Sequence, residues 1–179
     1  MIKTENQIYS DVIALIKEAL SNFKTEGWDV LKLSQPLKYT SKKDFIFVSL
    51  LESSQRGAQF TRTKLENGQL VVKEVYKEEL TFQLGAIRYE RETDSVETCS
   101  GKDILRFISS WLVSFNGLKR IRESGYSIYN PSNIRLIKAK NDSDNSFVYP
   151  TFSITFIAEQ SWDTPIEAVS EYKSKMKGI

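Results

Sequence analysis

The chain has 179 residues and a mass of 20.6 kDa, the size of one domain. Lysine and arginine number 25 against 23 aspartates and glutamates, a formal net charge of +2, too balanced for bulk charge to point to nucleic acid. Histidine is absent and Cys99 is the single cysteine, which excludes Ser-His-Asp and Cys-His nucleophile systems, an intrachain disulfide and a thiolate metal cluster. This composition argues against an enzyme, and no cofactor or metal is expected.

No apolar run reaches the ~18 residues that a spanning helix needs. Met1 to Asn6 lacks a basic region followed by an apolar core, so no signal peptide is read there. Cytosolic synthesis and no membrane partner are the expectation. No internal repeat or low-complexity tract is present.

Glu5 to about Lys24 reads as an amphipathic helix. Ile8, Val12, Leu15, Ile16, Ala19, Leu20 and Phe23 recur at spacings of three and four and so share one face. Thr4 with Gln7 forms a capping box, and Gly27 stands as terminator. Trp28 to Leu33 reads as a short strand that Gln35-Pro36 ends, because proline cannot donate to a ladder. A lysine-bearing loop from Leu37 to Asp44 follows. Phe45 to Leu51 is almost continuously apolar, the mark of a strand buried on both faces.

Glu52 to Ala58 reads as a loop. A hairpin from Gln59 to Glu79 turns at Asn67-Gly68, a strong hairpin signal. Its return arm is crowded with Lys73, Glu74, Lys77, Glu78 and Glu79, so a charged hairpin is expected to project from the core. Projecting strands serve assembly, since a free main-chain edge adds to another sheet. Further on, Leu80, Phe82, Leu84 and Ala86 give one apolar face.

Arg91 to Ser100 is a polar connector. Ser100 with Asp103 caps a second helix from Gly101 to about Phe115, which Asn116-Gly117 ends, with a further turn over Leu118 to Ser124. Ile128 and Ile134 to Ile137 mark one or two strands, Asn141 to Ser146 a turn, and Phe152, Ile154 and Phe156 a last strand. A short C-terminal helix is expected over about 164–177, opened by Trp162-Asp163-Thr164-Pro165, with proline at its first position. The order is helix, strands, hairpin, helix, strands, helix. It specifies an α+β fold: one domain over 1–179 with a mostly antiparallel sheet and two main helices on it.

Candidate chemistry dissolves on inspection. Asp142, Asp144 and Ser146 are spaced as in a calcium loop, but the places for its glycine and glutamate hold Phe147 and Ser153. Glu74, Glu78 and Glu79 sit among lysines on the charged strand and read as a solvated or interface face, not as an acid/base pair. No glycine pattern makes a phosphate loop. Cys99 precedes a helix without a basic neighbour and reads as a small residue. Lys119, Arg120 and Arg122 are possible DNA- or partner-facing cations. Lys138 with Lys140 and Lys173, Lys175 and Lys177 make lesser clusters; an ordinary soluble face is the plainer reading for each. Trp28 and Trp162 near segment ends are either interface anchors or core.

The ordered set resembles the neck terminator, or tail completion, proteins of tailed phages. The resemblance rests on the helix Ile8–Phe23 ending near Trp28, the strand closing on Gln35-Pro36, and Thr81-Phe82-Gln83-Leu84 after the hairpin. It continues through the helix start Ser100-Gly101-Lys102-Asp103-Ile104-Leu105, Gly125 to Ile128, Asn133-Ile134-Arg135, the turn Asn141–Asn145 and Pro150-Thr151-Phe152-Ser153-Ile154. It spans roughly Glu5 to Glu159. It implies a virion structural protein at the head–tail junction, whose ring (hexamer as first guess) caps the tail tube. Its partners would be further copies of itself, the tail tube and sheath proteins and the portal-side connector, with DNA passing through unread. The rival readings are a head-completion or tail-tube-like subunit, and a small monomeric bacterial binding protein. Subunit contacts are expected on the hairpin, chiefly at Lys73, Tyr76, Lys77 and Glu78.

Overall fold

The computed structural model describes residues 3–23, 27–32, 44–66, 69–89, 99–140 and 146–165. In chain order the elements are α1 (Glu5–Phe23), β1 (Asp29–Lys32), β2 (Phe45–Glu66), β3 (Gln69–Ile87), α2 (Gly101–Leu112), α3 (Phe115–Glu123), β4 (Tyr126–Ile128), β5 (Arg135–Lys140) and β6 (Ser146–Pro165). The strands form one sheet in the order β1-β2-β3-β6-β4, with β5 also on β6. Among the described residues, only the β1–β2 pair is parallel. The α+β class read from the sequence is the one found.

Local chemistry starts each helix. The Gln7 amide accepts from Thr4 N–H at 2.8 Å, and Thr4 Oγ1 accepts from Gln7 N–H at 3.3 Å, closing the expected capping box. At α2, Ser100 Oγ accepts from Asp103 N–H at 3.2 Å while the Asp103 carboxylate accepts from Ser100 N–H at 3.1 Å. α1 ends at Phe23, and Gly27 takes φ +92°. Gln35-Pro36, the loop 37–43, most of the connector 91–98 and the turn 141–145 lie outside the described residues.

α1 and α2 pack on one face of the sheet. Val12, Ile16 and Ala19 of α1 and Ile104, Leu105 and Ile108 of α2 meet Ile46, Val48, Phe82, Leu84, Phe152, Ile154 and Phe156, all essentially without solvent exposure. The strand from Phe45 is buried on both faces as expected. Its odd positions Phe45 and Phe47 point away from the helices, and Phe47 meets Tyr149 edge-on with ring centroids 5.5 Å apart. Phe47 also lies directly over its cross-strand partner Gly85, where a side chain has no room.

The second helix is shorter than the sequence suggested. α2 stops at Leu112, and Ser114 caps a separate α3 by accepting from Gly117 N–H at 3.1 Å. Asn116 and Gly117 therefore lie inside a helix and do not end one. Gly117 is required because a Cβ there would strike the Trp111 carbonyl oxygen.

The long strands bring the larger correction. Glu52–Ala58 is not a loop, since β2 is continuous from Phe45 to Glu66, with register shifts between Leu50 and Glu52 and between Arg56 and Phe60. Such bulges absorb the extra residues without breaking the strand. β6 likewise runs far past Phe156. Thr164 pairs with Val72 and Pro165 with Val71, so Trp162–Pro165 continues a strand and does not open a helix. Residues 166–177 of the expected helix lie outside the described residues.

Candidate assembly surfaces

The helix-packed core stops at Leu80 on β3 and Ala158 on β6. The strands do not stop there. β2 continues to Glu66, β3 returns from Gln69, and β6 follows β3 to Pro165. The expected projecting hairpin is therefore a three-stranded arm. Burial continues a little way into it, at Val75, Gln160 and Ser161; at ~3.3 Å per residue, the β3 segment beyond Val75 extends roughly 20 Å further.

A polar network fastens the base of this arm to the helices. Glu78 accepts from Ser53 Oγ at 2.7 Å and from Gln160 Nε2 at 3.0 Å. The Gln160 amide oxygen, almost fully buried, accepts from Lys3 N–H at 2.9 Å. Lys3 Nζ then bonds the Asp11 carboxylate and the Ser124 carbonyl, both at 2.7 Å, and lies 4.2 Å above the Tyr126 ring. Tyr126 OH donates to the same Asp11 oxygen at 2.9 Å. Burial first, then this hydrogen bond, raises the Tyr126 hydroxyl well above the usual tyrosine range. Within this network Gln160, Lys3, Asp11 and Tyr126 each find a partner, as low-dielectric surroundings require.

The four residues expected at a subunit contact all lie on β3, the middle strand of the arm. Lys73 stands between Arg62 of β2 and Asp163 of β6, and Lys77 between Arg56 and Glu159. Tyr76 lies opposite the second bulge of β2, and burial, then the charge of Glu78, raises its hydroxyl above the usual value. Glu78 is held inside the network just described. A middle strand has no free main-chain edge, so Lys73, Tyr76, Lys77 and Glu78 offer only side chains on the two faces. Among the described residues, the strands with no further strand on their outer side are β2, paired beyond β1 only with β3, and β6 beyond its pairing with β4 at Ala158. Sequence reading misses these edges because Trp162–Pro165, the end of the third strand, reads as the opening of a helix.

Lys119, Arg120 and Arg122 share α3. Arg120 is committed within the chain: Nε bonds both Glu18 oxygens at 2.9 and 3.0 Å, and Nη1 bonds Glu123 at 2.7 Å. Lys119 stands 4.0 Å from Glu123, and Arg122 is exposed. The cluster thus joins α3 to α1 and presents Arg122 outward. At the start of the same helix Phe115 is 83% exposed, beside the exposed Val113.

The end of the sheet opposite the arm carries a second projection, the β5–β6 hairpin. Leu136 pairs with Pro150 and Lys138 with Val148, so these four share one face, on which Leu136 and Val148 are more than half exposed. Beside it, Gln83, Ser132, Asn133, Arg135, Thr151 and Ser153 line a shallow cavity of about 260 Å³ on the face away from the helices. Trp28 packs against the core, as does Cys99. Lys173, Lys175, Lys177 and the side chain of Trp162 lie outside what is described. Among the described residues no cluster of three or more Asp, Glu or Cys side chains is placed to hold a metal ion.

Comparison with known proteins gives a family and a solved structure of weak similarity. No curated protein matches the chain. Among solved structures, the sheath/tube terminator of an extracellular contractile injection system (PVC, extended state, by cryo-EM) is similar, with a TM-score of 0.49 and 11% identity. That match covers 94% of this chain and 62% of the other, so this chain spans under two thirds of its neighbour's length. The family model for the gateway protein gp29 of phage E217 matches residues 5–168. This bears out the resemblance to phage neck proteins drawn from the ordered motifs. The chain belongs to the family of the E217 gateway protein gp29, a phage structural family.

Proposed function

We propose that this protein is a virion structural subunit at the head–tail junction, forming a ring that caps the tail tube and joins it to the connector, with DNA passing through. The carrying observation is the three-stranded arm, whose outer strands meet no further strand, among the described residues, beyond the helix-packed core. A soluble monomer normally shortens, charges or covers such edges, because they template pairing with other chains. A subunit destined for an assembly keeps them. The second projection, with Leu136 and Val148 outward at the opposite end of the sheet, gives the subunit two ends for two partners, the tail and the connector.

Two further features favour this reading over an enzyme. The side-chain inventory lacks histidine, and the titratable groups of the arm base are spent on each other. Across the centre of the sheet face away from the helices, Ser49, Thr81, Gln83, Ser153 and Thr155 are neutral, and Glu52, level with Thr81, is acidic. A wall of this kind lets phosphates slide, whereas fixed cations would hold them by counterion release.

The test is the mass of the purified protein by light scattering, with negative-stain images of the same fraction. Closed rings, six-fold as the first expectation, and their capture on the ends of purified tail tubes support the proposal. A chain that stays monomeric both alone and beside tail tubes overturns it in favour of a small binding protein. Long cylinders in place of single rings overturn it in favour of a tube subunit.

A further inference from the structure

The two open edges of the arm stand at the same height. Through β3, Phe60 is level with Ser161, Thr61 with Trp162, Arg62 with Asp163, Thr63 with Thr164 and Lys64 with Pro165. This stretch of β2 follows the second bulge and keeps unbroken register with β3 down to the tip. It has no proline, alternates threonine with charge, and meets no strand on its outer side among the described residues. The facing stretch of β6 lies beyond the end of β4 and likewise meets no outer strand among them. The charges are opposite in sign. Residues 60–64 carry Arg62 and Lys64 and no acid, while residues 161–165 carry Asp163 and no base.

We propose that neighbouring copies of this chain are joined edge to edge, residues 161–165 of β6 in one copy adding to residues 60–64 of β2 in the next. This rests on the ring reading above and names its junction. A ring closed by pure rotation about an axis along the strands brings together residues of equal height, and here those are the two open edges. β2 and β6 both run antiparallel to β3, so they run parallel to each other, and the new pair is parallel with evenly spaced, slanted hydrogen bonds. Pairing like edges, β2 on β2 or β6 on β6, sets cation against cation or carboxylate against carboxylate. The heterologous junction sets Asp163 near Arg62. The arms then form a continuous collar, and the helices and the β5–β6 hairpin remain outside the junction.

The experiment is disulfide trapping in a Cys99→Ser background carrying Thr63→Cys and Thr164→Cys. Within one copy β3 separates these positions by two strand spacings, roughly 9.5 Å, too far for an intrachain disulfide. Light scattering is run on the same sample. Oxidised rings should give a covalent ladder on a non-reducing denaturing gel, ending at the ring's own copy number and collapsing on reduction. Each single-cysteine variant should give no ladder. Rings present by light scattering without a ladder overturn the junction and leave the ring reading standing. A wild-type chain that makes no rings, alone or on tails, overturns the ring reading and the junction with it. Should the double-cysteine variant fail to assemble while the wild type does, a charge swap decides. Arg62→Glu should abolish rings and adding Asp163→Arg should restore them, whereas no restoration overturns the junction.

Discussion

Gly85 and Phe47 form the contact on which the open face of the sheet can be tested most sharply. They are cross-strand partners on β3 and β2, and the Phe47 ring occupies the space a side chain at position 85 would fill. Gly85→Ala has two opposing effects. Replacing glycine within a strand should stabilise by about 0.5–1 kcal/mol, because the unfolded chain loses freedom. The new Cβ, however, overlaps the far end of a ring that is itself only 6% exposed, and overpacking of this kind costs about 1–3 kcal/mol. The clash wins, leaving a net loss of about 1–2 kcal/mol and a midpoint lowered by roughly 2–8 °C for a chain of this size. Thermal unfolding followed by circular dichroism measures it. Phe47→Leu removes the ring atoms responsible, so the double variant should be more stable than the sum of the single losses by about 1 kcal/mol. A Gly85→Ala protein as stable as the wild type, or strictly additive losses, would refute the packing argument.

Tyr126→Phe removes the hydroxyl bonded to Asp11 and should cost about 1 kcal/mol at neutral pH in urea unfolding. Because the folded Tyr126 pKa lies above its ordinary 10.0, its contribution is complete below that value and is lost as pH rises past it, so the wild type should lose stability above about pH 10 more steeply than Tyr126→Phe. Asp103 runs the other way: hydrogen bonds from the Ser100 side chain and backbone hold its carboxyl below the ordinary carboxylate range, and its contribution is lost as pH falls through the lowered value. Asp103→Ala should cost about 1 kcal/mol at pH 7 and flatten the acid limb of a urea titration; an unchanged limb would remove the capping box from the account. Gly117→Ala drives a methyl group into the Trp111 carbonyl oxygen at the α2–α3 joint and should cost more than about 2 kcal/mol by thermal unfolding, a larger loss than Gly85→Ala, since backbone cannot step aside as a ring can.

The sequence alone determined whatever depends on local pattern. The 3.6-residue recurrence in α1, the Thr4–Gln7 and Ser100–Asp103 boxes, and the two-sided apolar strand at Phe45 each encode their own structure within a few residues. The ordered motifs also carried the family, whose model matches residues 5–168, the stretch over which those motifs are read. Local pattern failed where a strand's partner lay far along the chain. Glu52–Ala58 holds no apolar alternation, yet β3 holds it extended through two bulges. Trp162-Asp163-Thr164-Pro165 has the composition of a helix start, but β3 supplies a ladder there that outweighs the weak local preference. Asn116-Gly117 looks like a helix stop, and only the closeness of α3 to the Trp111 carbonyl turns that glycine into a joint. The candidate surface followed the same rule. The charge of residues 73–78 is what points to them as an expected assembly element, but which strands of the arm meet no further strand depends on the placing of β6, more than seventy residues away in the chain, against β3. Edges are a property of sheet order, and sheet order is settled by long-range pairing in the folded chain.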